Sequence, residues 1–226
     1  MKFNKTLLGA ASALALVLSA PAANAVTVVY TFNLNAIGLQ ITGADYGTVT
    51  LTENTTGGVM FDVALRGDLN FVSTGNTNSH ALFGFNATGV SLGEIGPITD
   101  ASVAPVTGYS AYAPATGSPF GNFTFGIQCV TNCTNGGSAG GYPDPLSFTV
   151  ANATVGDFAI KSTGGNPNVF FTADVFTKNA VTGNTGQIGV GGEGVLVPSI
   201  PEPESYALML AGLGAIGFMA RRRKQA

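Results

Sequence analysis

The 226-residue chain has 9% charged residues, no Trp, a single His and 32 Gly. Between Val26 and Pro198 ten carboxylates (Asp45, Glu53, Asp62, Asp68, Glu94, Asp100, Asp144, Asp157, Asp174 and Glu193) face three basic residues, Arg66, Lys161 and Lys178, a balance of −7 against −3 for the whole chain. So few cations cannot neutralise a phosphate backbone, which excludes nucleic acid as a partner, and the scarcity of Lys and Glu points to strands and loops.

The N-terminal segment reads as a secretory signal over residues 1–25. Lys2 and Lys5 supply the positive start, Leu7 to Leu18 is an apolar run, and Ala23-Asn24-Ala25 offers the small residues that a signal peptidase accepts. Ala23 and Ala25 flank the expected cut, and Val26 begins the mature protein. Export machinery and signal peptidase are the partners this implies.

Residues 26–198 carry short alternating runs bounded by Gly, Asn, Asp and Pro. Val28, Tyr30, Phe32 and Leu34 alternate with polar positions. Val49 and Leu51 alternate with Thr48, Thr50 and Thr52. After a turn at residues 53–58, Val59, Phe61, Val63 and Leu65 alternate with Met60, Asp62, Ala64 and Arg66, so these last two runs predict a hairpin with one buried face. Further strands are expected at Leu82–Phe85, Phe123–Cys129, Leu146–Val150, Val155–Ile160 and Val169–Phe176. Within the last, Val169-Phe170-Phe171 is apolar on successive residues, which suits a strand buried on both sides. About ten strands without helical spacing predict an all-β antiparallel sandwich or jelly roll.

Within this domain, Cys129 and Cys133 lie four apart, and in an exported protein two cysteines pair. The disulfide would hold a local turn, since so short a loop removes little chain entropy. His80 behind Ser79 suggests a nucleophile and base, but no G-x-S-x-G turn accompanies them. Asp62 with Asp68, or Asp144 with Asp157, are the carboxylate pairs a glycosidase reading would need. Asp45, Asp100, Asp144 and Asp157 sit in Gly/Asn/Pro loops that could favour calcium, without the D-x-[DN]-x-[DN]-G pattern. No catalytic residue, metal ligand or cofactor is assigned from these. Thr48, Thr50 and Thr52 align three hydroxyls on one strand face, as an ice- or carbohydrate-binding surface would. The sequence shows no matching row beside them.

The C-terminal segment, residues 199–226, has three parts. Pro201-Glu202-Pro203 keeps the backbone extended. Tyr206 to Ala220 is an uncharged apolar run, and Arg221, Arg222, Arg223 and Lys224 follow at once. A helix of this length, at about 1.5 Å per residue, reaches about 22 Å, short for a bilayer core unless the arginines snorkel and the bilayer thins. The basic cluster would stay cytoplasmic and the domain face outward.

Tripeptide, Gly-punctuated apolar stretch and basic end, in that order, resemble the PEP-CTERM sorting signal. The resemblance implies recognition by an exosortase, a membrane cysteine protease that cuts near the tripeptide and passes its substrate to the surface of a Gram-negative envelope. It also implies an association with exopolysaccharide and biofilm matrix. A non-enzymatic surface or matrix protein, anchored in the membrane before processing, is the expectation; a carbohydrate- or ice-binding module is the alternative, and an exported hydrolase ranks behind both.

Overall fold

A computed structural model describes residues 25–36, 43–74, 80–101, 108–131, 133, 141–142, 144–178, 185–198, 209–217 and 221. The strands are Thr27–Thr31 (β1), Leu34–Asn35 (β2), Gly47–Asn54 (β3), Gly58–Leu65 (β4), Leu69–Phe71 (β5), Phe83–Phe85 (β6) and Gly108–Tyr112 (β7). Then come Ala115–Thr116 (β8), Asn122–Phe123 (β9), Phe125–Thr131 (β10), Leu146–Ala151 (β11), Phe171–Thr177 (β12), Thr185–Gly189 (β13) and Val195–Val197 (β14).

The alternation legible in the sequence sets the sidedness. In β3 and β4, Val49, Leu51, Val59, Phe61, Val63 and Leu65 are buried while Thr48, Thr50, Thr52 and Met60 point away from the core. The predicted hairpin forms in register from Gly47↔Leu65 to Asn54↔Gly58. Asn54 shapes its turn by accepting hydrogen bonds from the Thr56 amide (3.1 Å) and hydroxyl (2.8 Å).

Among the described residues two large antiparallel sheets and a two-stranded one, β8-β9, result. Sheet A runs β11-β4-β3-β1-β14, and sheet B runs β2-β13-β12-β6-β10-β7, with β5 also pairing β12. They pack face to face through aromatic rings, the arrangement of a β-sandwich. Phe61 of sheet A stacks on Phe148 (4.6 Å between centroids), meets Phe158 edge-on (4.8 Å) and reaches Phe85 (5.4 Å) and Phe171 (6.3 Å) of sheet B. Tyr30 of β1 meets Phe171 of β12 edge-on at 4.9 Å. The fold is all-β over the domain, as the composition suggested.

β12 is buried at every position, but of the run Val169-Phe170-Phe171 only Phe171 belongs to it; Val169 and Phe170 are buried just before the strand begins. Its inner residues Phe171, Ala173 and Val175 join the main core. Its outer face lies under a second, smaller cluster of Ala81, Ala115, Phe120, Phe123 and Val169. That layer sits close because Gly117 and Gly126 carry no Cβ: one added at Gly117 would lie 2.6 Å from the Thr172 methyl, and one at Gly126 would lie 2.6 Å from Ala115 Cβ.

Two expectations are corrected. Val155–Ile160 is not a strand: Val155–Phe158 forms a 3₁₀ turn. Its reason is local, since Asp157 Oδ2 accepts the Thr154 amide (2.8 Å) and hydroxyl (2.9 Å), closing a capping box that a strand could not make. The first run is also not continuous. β1 lies in sheet A while β2 pairs β13 in sheet B, because the chain crosses between sheets at Asn33, whose amide donates to Gly189 O at 3.1 Å.

Residues Ala25–Pro198 form one compact unit. Outside it, residues 209–217 are helical and exposed, as is Arg221. Among the described residues no helix is long and apolar enough to cross a membrane. The expected signal peptide, including Ala23, and the positions Pro201, Glu202, Pro203, Arg222, Arg223 and Lys224 lie outside the described residues.

Candidate functional site

The two ends of the sandwich meet on one rung. β14 pairs antiparallel with β1 at Thr27↔Val197, Val28↔Leu196 and Val29↔Val195. The expected mature start, Val26, is exposed, and its carbonyl accepts the Glu53 amide at 2.9 Å. The end of β14 thus lies beside the residue where the domain begins.

β14 is the outer strand of sheet A, and its side chains are largely exposed: Val195, Leu196 and Val197 are 68%, 67% and 44% exposed. The residues before it behave differently. A Cβ on Gly194 would lie 2.4 Å from Val28 Cγ1 and 2.7 Å from the Tyr30 ring, so the Gly194 backbone itself caps these two core residues. Burial first, and the charge of Glu193 second, raise the Tyr30 pKa.

Cys129 and Cys133 are joined in a disulfide, with Cα atoms 5.6 Å apart. It ties the end of β10 to an exposed neighbour, and half-buried Cys129 packs on the edge of the core.

The sequence-derived catalytic and cation candidates do not converge. Asp68 is bound by Arg66 through two hydrogen bonds (2.6 and 2.8 Å), which hold its carboxyl below the usual value. Asp62 accepts from Ser147 Oγ at 3.3 Å, Asp144 from the Leu65 amide at 3.2 Å, and Asp100 from the Tyr109 hydroxyl at 2.7 Å. Asp157 caps its own turn, and Asp45 occupies a left-handed position with φ 67°. His80 bridges Gly117; burial lowers its pKa, and Ser79 lies outside the described residues. Among the described residues no three His, Cys, Asp or Glu side chains gather as a metal site would require.

The basic residues are likewise engaged. Arg66 binds Asp68 and lies over the Tyr46 ring at 5.3 Å. Lys161 sits over the Phe170 ring at 4.9 Å, and Lys178 Nζ donates to Gly67 O at 3.1 Å.

Two features escaped the sequence. The threonine row of β3 does have neighbours. On the same outer face β1 presents Thr27 and Thr31, and β11 presents Ser147 and Thr149, each partly exposed. The register aligns Thr149, Met60, Thr52 and Thr27 across four strands, and Ser147, Asp62 and Thr50 across three. A shallow cleft of about 190 Å³ opens beside them, lined by Met60, Pro97, Thr99, Ser147, Phe148 and Thr149. The second is Asp174, fully buried on the outer face of β12. Its Oδ2 accepts the Thr74 amide (3.0 Å) and hydroxyl while Oδ1 has no hydrogen-bond partner among the described residues, and burial pushes its carboxyl up to about 7. The charged residue inside the apolar run VFFTADVF was the available signal.

No curated protein matches the chain, and no solved structure does. The model of the PEP-CTERM protein-sorting motif matches residues 199–224, immediately after the last described residue of the sandwich. The tripeptide, the apolar run and the basic residues named from the sequence all fall within that match. Over residues 199–224 the chain carries a PEP-CTERM protein-sorting motif.

Proposed function

We propose that this is an exported, non-enzymatic surface or extracellular-matrix protein whose β-sandwich is the cargo of the C-terminal signal. The observation that carries the reading is the sorting motif at residues 199–224. In this reading residues 1–25 are removed by signal peptidase between Ala25 and Val26, and residues 26–198 are the delivered domain. The run Tyr206–Ala220 holds the precursor in the membrane, with Arg221–Lys224 as its cytoplasmic stop. An exosortase then reads Pro201-Glu202-Pro203 and releases the domain to the envelope surface, where exopolysaccharide is the proposed partner. The disulfide and the rarity of free cations fit an oxidising exterior and a structural role. The dispersal of the carboxylates and His80 supports the non-enzymatic reading.

Replacing Pro201-Glu202-Pro203 with alanines should leave the precursor uncut and cell-bound in its native host. Unchanged size and location of the product would refute the sorting reading.

A second reading is favoured by the outer face of sheet A. Its aligned hydroxyls and shallow cleft suit a flat, hydroxylated polymer or ice surface better than an anionic one. Thr50→Lys and Thr52→Lys, which leave the core untouched, should abolish co-sedimentation with neutral polysaccharide or inhibition of ice growth. Absence of either activity in the native domain would remove this reading.

A further inference from the structure

We infer that β14 is a detachable strap: the sorting enzyme takes up Val195–Val197 together with the tripeptide, after the strand has peeled from β1. This rests on the sorting reading above and adds to it a structural condition for processing.

The spacing makes the demand. Only Pro198, Ser199 and Ile200 separate the end of β14 from Pro201. Enzymes that cut peptides hold them extended, by main-chain hydrogen bonds to several residues. A grip that reaches more than three residues upstream of Pro201 draws on backbone groups that β14 now gives to β1.

The sandwich is built to release them. β14 is held on one edge only, by three paired positions, and none of its three side chains is buried. The Gly194 backbone, one residue earlier, lies against Val28 and Tyr30, so a pivot between Gly194 and Val195 leaves that contact in place. β1 stays in place without β14, because it pairs with β3 at five positions from Thr27↔Thr52 to Thr31↔Thr48. Peeling thus stops at a defined point.

The test locks the strap in the full chain. Val29→Cys with Val195→Cys places cysteines at paired positions, and mass spectrometry confirms the new disulfide beside Cys129–Cys133. In the native host the locked protein should be processed at least tenfold more slowly than the Val29→Ser/Val195→Ser control, and reduction of isolated envelopes should restore processing. Equal rates for locked and control proteins would overturn the strap while leaving the sorting reading intact. Normal processing of the Pro201-Glu202-Pro203→Ala variant would instead overturn both. Should the double cysteine fail to pair, hydrogen exchange of the unaltered chain decides: residues 195–197 should exchange at least a hundredfold faster than residues 49–52, and equal protection refutes the strap.

Discussion

Phe61 is the ring on which the two sheets of the sandwich meet, and its neighbour Met60 faces the other way, 46% exposed. Because side chains alternate along a strand, these adjacent residues test the register of β4 directly. Removing a buried Phe ring costs about 3–5 kcal/mol. Phe61 should lie at the upper end, since it is fully buried and also loses its close pairs with Phe148 and Phe158, each worth about 0.5–1.5 kcal/mol beyond burial. About 5 kcal/mol is a large part of the roughly 5–15 kcal/mol that a domain has in total. Met60→Ala should cost less than about 1 kcal/mol, as exposed positions do. With no Trp in the chain, urea unfolding of residues 26–198 is best followed by far-ultraviolet circular dichroism. At a slope of about 2 kcal/mol per molar, Phe61→Ala should lower the midpoint by about 2.5 M and Met60→Ala by less than about 0.5 M. Comparable shifts for the two variants would refute the register and the sidedness built on it.

Asp174 holds a proton in the folded state up to about pH 7, whereas its ordinary value is 3.8. Its contribution to stability is therefore full below pH 3.8 and is lost as pH rises towards 7. Asp174→Asn removes the titration, so urea midpoints should move in favour of the variant between about pH 4.5 and 8; a gap between the two proteins that does not change with pH would show the buried carboxyl to be misassigned. Cys129→Ser with Cys133→Ser should lower stability by no more than about 2 kcal/mol, because the bridge closes a loop of sequence separation 4. A much larger loss in the same unfolding assay would give the bridge a global role.

The legible parts of the fold were those where sequence-local chemistry and tertiary packing agree. The β3–β4 hairpin has strict alternation on both arms and a turn rich in Asn and Gly, and it forms as read. The three successive apolar residues Val169, Phe170 and Phe171 announce burial, though Thr172 and Asp174 alternate with apolar residues in the strand itself and are buried as well. At Val155–Phe158 hydrophobic content suggested a strand, but Thr154 and Asp157 three residues apart form a cap, and that local bond decides the backbone. The hydroxyl face could not be read because its members, Thr27, Thr50 and Thr149, become neighbours only through β-pairing of distant segments. β14 was hidden differently. Three residues after a Gly-rich stretch have no periodicity to detect, and their pairing partner is β1. The sorting motif was the most legible part, since its tripeptide, apolar run and basic cluster are contiguous in the chain.

The pairing of β1 with β14 joins the first strand of the sandwich to its last, the longest sequence separation available to the domain. Contacts of that kind form late, because the whole intervening chain must be ordered before they can close. Here the delay is harmless: the Phe61 cluster, sheet B and four of the five strands of sheet A are in place by β13, and β14 adds no buried side chain. As the chain emerges from its N-terminal end, the sandwich can acquire its core before its final residues arrive. Closure of the β1 edge then marks the completion of the sandwich, at the boundary where the sorting motif begins.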